Sequence, residues 1–179
     1  MLLDKNLISY QKCDNFIKVK YDDTFLIIET PFLRIPFGIK YLNFNNKKSY
    51  NFQISINEEY NIKSKKLLDF IFELENYAKD KFKDESLIKD KTFVSRIYSS
   101  KHSPLITLDI KDNTLFKDKN NKDLLLKDYI NKSFIGSISF TYTGIYYGKK
   151  NWGLSFKVNS IVIDIKEDKK EYFTIFNFK

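Results

Sequence analysis

Cysteine and histidine are almost missing from this 179-residue sequence, which has one of each. A lone Cys13 excludes an internal disulfide and every cysteine-based zinc cluster. A lone His102 removes most catalytic triads and nearly all transition-metal sites. Cys13 therefore reads as a buried or incidental thiol, and His102, beside Ser103 and Pro104, as a loop residue. Arginine is nearly as scarce, with Arg34 and Arg96 set against 29 lysines. Few planar guanidinium forks means few groups able to read guanine bidentately, so any nucleic-acid binding is expected to tolerate sequence. An AT-rich genome would produce the same bias toward lysine, isoleucine and asparagine. No apolar run approaches the roughly 18 residues of a membrane span, and Met1-Leu2-Leu3-Asp4-Lys5-Asn6 lacks a signal-peptide layout. The expectation is an intracellular protein that is not secreted and has no membrane partner.

What is present is ordinary for a globular chain: 42% hydrophobic and 30% charged residues. The length suits one domain over residues 1–179 and is short for two. The net charge of +8, with a pI near 9.3, favours nucleic acid or an acidic surface as partner. Its distribution is more informative. None of the 23 carboxylates falls in residues 30–57, 91–108 or 129–163, whereas the rest of the chain balances 20 basic against 23 acidic groups. If the three windows fold side by side, they build one positive face, the layout a phosphate backbone selects.

Periodicity sorts the elements. Phe16–Tyr21 and Thr24–Glu29 read as a hairpin about Asp22-Asp23. Pro31 and Pro36 forbid a central strand between them and suggest an extended edge or a crossing loop. Tyr50–Ile56 alternates as a strand, with Phe52, Ile54 and Ile56 on one face. Leu67, Phe70, Ile71, Leu74, Tyr77, Ala78 and Phe82 then recur at helical spacing, and Ser64 offers an N-cap. A short second helix over 84–91 would complete a helical insertion at about 64–90. Phe93–Tyr98 and Leu105–Ile110 return to period two, 112–123 is a polar connection, and Leu124–Ile130 is a strand or a helical turn. Ile138, Phe140 and Tyr142 face one way, as do Leu154, Phe156 and Val158, with an irregularity expected at Ser160. The sum is an α+β, mainly β domain: an OB-like antiparallel barrel with an inserted amphipathic helix.

Three of the five glycines lie in Gly144-x-x-x-Gly148-x-x-x-x-Gly153. This spacing fits neither a dinucleotide fingerprint nor a P-loop, and a strand follows it rather than a helix. Gly148–Asn151 reads instead as a hairpin tip. Tyr146, Tyr147, Lys149, Lys150 and Trp152 around it supply rings for base stacking and ammonium groups for phosphates, with no acid among them. Strand alternation turns about half of such rings inward, so a core role for some is the competing expectation. Asp112, Asp118 and Asp123 lie in a lysine-rich connection that reads as solvated. No catalytic residue, metal or cofactor is expected, and the chain reads as a non-enzyme.

The order of several motifs resembles a known family. These are Thr30-Pro31-Phe32 with Ile35-Pro36-Phe37-Gly38, the helix with Leu67-Leu68-Asp69-Phe70-Ile71, Phe93-Val94-Ser95-Arg96-Ile97-Tyr98, Ser103-Pro104-Leu105, and Tyr142 through Val158. Over roughly 25–163 this order resembles the single-stranded DNA-binding proteins of nucleocytoplasmic large DNA viruses. Cytoplasmic linear plasmids of yeasts are a second possible source. The resemblance implies an OB fold related to that of short-tailed phage single-stranded DNA-binding proteins, a role in DNA replication or recombination, and a cytoplasmic viral factory or plasmid replication site. Single-stranded DNA is then the expected partner, with polymerase, helicase or further copies of the chain beside it. Arg34, Lys40, Arg96, Lys101, Lys149, Lys150 and Lys157 would contact phosphates, and Tyr146, Tyr147 and Trp152 would stack on bases. An RNA-binding barrel and a non-catalytic structural or interaction protein of a virion or replication complex are the alternatives. The connection after the helix is shorter than the family pattern, and residues 164–179, with four acids and four lysines, are not an acidic tail. The aromatic tail at about 166–179 reads equally well as a strand that pairs within the molecule or between subunits.

Overall fold

The computed structural model describes residues 5–14, 16–44, 47–56, 62–101 and 103–164; His102 and the tail reading fall outside them. Its elements, in chain order, are β1 (Ile8–Cys13), β2 (Phe16–Tyr21), β3 (Leu26–Glu29), β4 (Leu33–Ile35), β5 (Ile39–Phe44), β6 (Lys47–Ser55), α1 (Ile62–Phe82), β7 (Thr92–Phe93), β8 (Ile97–Tyr98), β9 (Leu105–Ile110), β10 (Leu115–Asp118), β11 (Phe134–Tyr147) and β12 (Asn151–Ile163).

The two longest strands form the hairpin that the glycine-rich stretch predicts, with Tyr147 opposite Trp152 and Gly136 opposite Ile163. On its other edge β11 carries β2, β3 and β4 in turn, all antiparallel. β4 reaches β6 through the single pair Arg34–Ser55, and β6 continues to β5 and β9. A three-residue strand between Pro31 and Pro36 therefore does sit inside the sheet. It is tolerated because both prolines lie outside its paired residues.

The sheet bends until β9 lies beside β12, but among the described residues no ladder joins these two strands. The seam is crossed by single bonds: Arg96 Nε donates to the Leu154 carbonyl at 2.8 Å and Thr114 Oγ1 to the Val158 carbonyl at 2.9 Å. Short parallel pairings of β7 and β10 with β12 seal its two ends.

Inward positions fill one core. Phe52 and Ile54 from β6 with Ile56 just after it, Ile106, Leu108 and Ile110 from β9, and Leu154, Phe156 and Val158 from β12 are buried together. α1 adds Leu67, Ile71, Leu74, Ala78 and Phe82 to the same cluster, the face its spacing predicts. Each such large side chain stabilises the fold by roughly 1.5–3 kcal/mol.

Several expectations need correction. β2 pairs with β1 and not with β3. Asp22 and Asp23 do form a tight turn at φ 49° and 56°, but the chain then rejoins β11, so β2 and β3 are successive partners of one strand. Ser64 is not an N-cap: it is buried within the first turn of a helix that starts at Ile62. Residues 84–91 form turns rather than a helix, whereas at 124–130 the helical-turn alternative holds, with a 3₁₀ turn over 126–129. The 93–98 run breaks into β7 and β8, and the polar connection contains β10, whose Phe116 is buried. Cys13 is exposed.

Candidate nucleic-acid interface

Cross-strand partners share a face, so the registers map the outward side of the sheet. Tyr98 lies opposite Leu105, Leu105 opposite Ser55, Ser55 opposite Arg34, and Arg34 opposite Ile135, a row across β8, β9, β6, β4 and β11. Parallel to it run Thr107 with Gln53, and Asp109 with Asn51 and Lys40. At about 4.8 Å per strand, Tyr98 and Arg34 stand roughly 14 Å apart. Their alternate neighbours Ile106, Leu108, Phe52 and Ile54 point into the core, so these side chains lie on the opposite face, where Tyr98 and Arg34 are exposed and Leu105 is covered.

This surface carries Arg34, Lys40 and Arg96, three of the residues singled out by charge. Arg34 and Lys40 are exposed, and the Lys40 ammonium lies 5.2 Å from the ring centre of Phe37, itself half-exposed. Tyr98, 61% exposed and on the same face, is the ring that sequence reasoning missed. Gln53 Nε2 donates to Thr107 Oγ1 at 3.3 Å, leaving a polar floor between the cations and the ring.

Arg96 sits where this face meets the seam. Its backbone N–H donates to Glu75 Oε1 at 2.6 Å, and Ser95 Oγ donates to the same buried carboxylate, so α1 fixes the segment between β7 and β8. Its guanidinium reaches Asp109 Oδ2 at 2.9 Å and lies 5.4 Å from the ring centre of Tyr146. Burial pushes the Tyr146 phenol up from its ordinary range, with Asp109 adding to the rise and Arg96 opposing it. Tyr146 lies against Gly153, where a Cβ would come within 2.6 Å of the Val94 carbonyl oxygen. That glycine serves the close approach of backbone to backbone, as does Gly144, at φ 139°, where a Cβ would meet the Ile17 carbonyl oxygen.

Lys149 and Lys150 are exposed at the hairpin tip, three and four residues past Tyr146, and Lys101 is exposed in the loop after β8. Lys157 is half-buried on β12, opposite Thr141. Among the described residues, no salt bridge engages Arg34, Lys40, Lys101, Lys149, Lys150 or Lys157.

Two stacking assignments are overturned. Trp152 is 4% exposed and packs edge-on against Phe93; Tyr147 is 6% exposed, and its hydroxyl donates to the carbonyls of Cys13 and Asp14. Trp152 turns inward by plain alternation with Leu154, Phe156 and Val158 on β12, and Tyr147 does so because of a register slip in β11 between Tyr142 and Gly144. Before it the even positions Ile138, Phe140 and Tyr142 are buried; after it the odd positions Ile145 and Tyr147 take their place. Neither ring can offer a face to a base in this arrangement. Among the described residues, no group of three or more His, Cys, Asp or Glu side chains could hold a metal ion.

No family model and no curated protein sequence matches the chain. Solved structures do. The single-stranded DNA-binding protein of bacteriophage Enc34, in complex with single-stranded DNA, superposes with a TM-score of 0.58 at 11% identity, covering 92% of this chain and 98% of that one. Gp2.5, a single-stranded DNA-binding protein encoded by bacteriophage T7, gives 0.56 at 8% identity over 79% and 87%. A further structure of the Enc34 protein gives 0.53 at 10% identity over 90% and 94%. At such identities the likeness speaks for architecture: the chain has an α+β, mainly β, OB-like fold with one helix and an unclosed antiparallel sheet.

Proposed function

We propose that this chain is a non-enzymatic, sequence-tolerant single-stranded DNA-binding protein that covers and organises single strands during DNA replication or recombination. A cytoplasmic virus of the large nucleocytoplasmic class, or a related linear plasmid, is the setting the motif order supports, with replication proteins as partners. The observation that carries the reading is the outward face of β8, β9, β6, β4 and β5. It sets Arg34, Lys40 and Arg96 around an exposed Tyr98, on a fold shared with a phage protein solved with single-stranded DNA.

Phosphates would meet Arg34 and Lys40, with Lys101, Lys149, Lys150 and Lys157 extending the track, while Tyr98 offers a ring face to a base. With no planar fork on this face except the paired guanidinium of Arg96 and the exposed Arg34, backbone charge dominates over base reading.

Fluorescence anisotropy with labelled oligo-dT, oligo-U and a matched duplex, each across a salt series, tests the reading. About six phosphate contacts on a single strand predict a slope of log affinity against log salt near −4. Equal binding to the duplex, or no salt dependence, overturns it, and preference for oligo-U moves the ligand to RNA.

A further inference from the structure

Resting on the single-strand reading, we infer that Asp109 is a built-in competitor of the bound strand: it occupies the Arg96 guanidinium on the binding face, and a phosphate must displace it. Asp109 is the first acid after the acid-free window 91–108 and, among the paired positions of the outward face, the carboxylate within it. It shares a row with Asn51 and Lys40.

Arg96 does not depend on Asp109 for its position. Its backbone N–H is held by Glu75, its Nε by the Leu154 carbonyl, and its plane lies against Tyr146. The Nη2 edge is the remaining contact, and Asp109 Oδ2 takes it at 2.9 Å. The acid's side chain is 34% exposed and that of Arg96 13%, so the pair opens to solvent on the acid's side, where a strand would pass. The carboxylate is the more exposed partner, so solvent and salt reach the pair from its side and loosen the hold of Asp109 there. A phosphate that replaces the carboxylate takes over its charge-assisted bond from Nη2, but it must first overcome like-charge repulsion from Asp109. The acid therefore lowers affinity and shortens residence without disturbing the site's shape.

Asp109→Asn removes the charge and keeps an oxygen for Arg96 to bond. Oligo-dT affinity at 0.1 M salt is expected to rise about three- to tenfold, with the salt slope steeper by about 0.7, the increment of one recovered phosphate contact on a single strand. Asp69→Asn, the same change of net charge at an exposed position on α1, is expected to change affinity less than about twofold and to leave the slope unaltered. In an Arg96→Gln background the slope increment from Asp109→Asn is expected to vanish. Equal or weaker binding by a stably folded Asp109→Asn overturns the inference. Should that variant unfold, Asp109→Ser is measured in its place, and unfolding of both makes Asp109 a structural residue and overturns it as well. Wild-type protein that fails to bind oligo-dT at any salt sinks the single-strand reading itself; wild-type binding without a gain in the variant sinks only the competitor.

Discussion

The indole of Trp152 meets the ring of Phe93 edge-on, with centroids 4.7 Å apart and planes at 75°. This contact joins the first residues of β12 to β7 and places the chain's lone tryptophan inside the core. Trp152→Ala is expected to cost about 3–5 kcal/mol of stability in urea unfolding. Trp152→Phe, which refills most of the volume, is expected to leave the oligo-dT salt slope at its wild-type value. A stacking tryptophan would show the reverse: a lost affinity with stability little changed.

Tyr147 anchors the β1–β2 turn through its hydroxyl, which donates to the carbonyls of Cys13 and Asp14. Tyr147→Phe leaves those carbonyls without their donor, and a loss of about 0.5–1.5 kcal/mol is expected from denaturant midpoints. DNA affinity is expected to stay within about twofold.

Tyr98 stands alone among the face's exposed rings in sharing a row with Arg34. Tyr98→Ala is expected to weaken oligo-dT binding by about 1–3 kcal/mol, read by anisotropy, and Tyr98→Phe to restore most of it, because stacking uses the ring and not the hydroxyl.

Arg34→Gln and Lys40→Gln each remove one cation from the outward face. Each is expected to flatten the salt slope by about 0.7 and to weaken binding uniformly across oligo-dT and mixed-sequence strands. Lys149→Ala/Lys150→Ala at the hairpin tip is expected to flatten it by about twice that amount if the strand follows β11 and β12 toward the tip.

Tyr142 is fully buried, and burial raises its phenol far above the ordinary value near 10, with Tyr77 adding to the rise. The unfolded chain therefore releases this proton first as pH climbs above 10, while the folded chain retains it. The proton count is then higher in the folded state, so stability falls with rising pH, by up to about 1.4 kcal/mol per pH unit for this group. Urea titrations between pH 9 and 11.5 should show that fall, and Tyr142→Phe should make it shallower.

Strong periodicity made much of this architecture readable. The Tyr50–Ile56 strand, α1 and the β11–β12 hairpin all follow runs in which every second residue, or every third and fourth, is apolar. β1 escaped because Ser9, Tyr10, Gln11, Lys12 and Cys13 are all exposed and carry no such pattern. β10 escaped because only Phe116 in it reaches the core. At the site, Arg34 and Lys40 were legible from charge, since an exposed cation has no core role to confuse it. The tyrosines were not, because which of Tyr146 and Tyr147 turns inward is decided by the slip at Thr143, and local alternation says nothing of a bulge; Trp152 was legible, since it continues the inward alternation of Leu154, Phe156 and Val158. Tyr98 could have been found from the end of its own run, where the apolar partner Ile97 turns inward and leaves Tyr98 outside.

β11 pairs with residues 16–18, 26–29 and 33–35, all more than 95 positions earlier in the chain. β2, β3 and β4 thus leave the ribosome without this partner strand, and closing such long loops is slow. Joining β2, β3 and β4 into one sheet waits for the hairpin near residue 150, so a chain halted before β11 is expected to hold the β1–β2 and β5–β6–β9 pairings at most, rather than half a barrel.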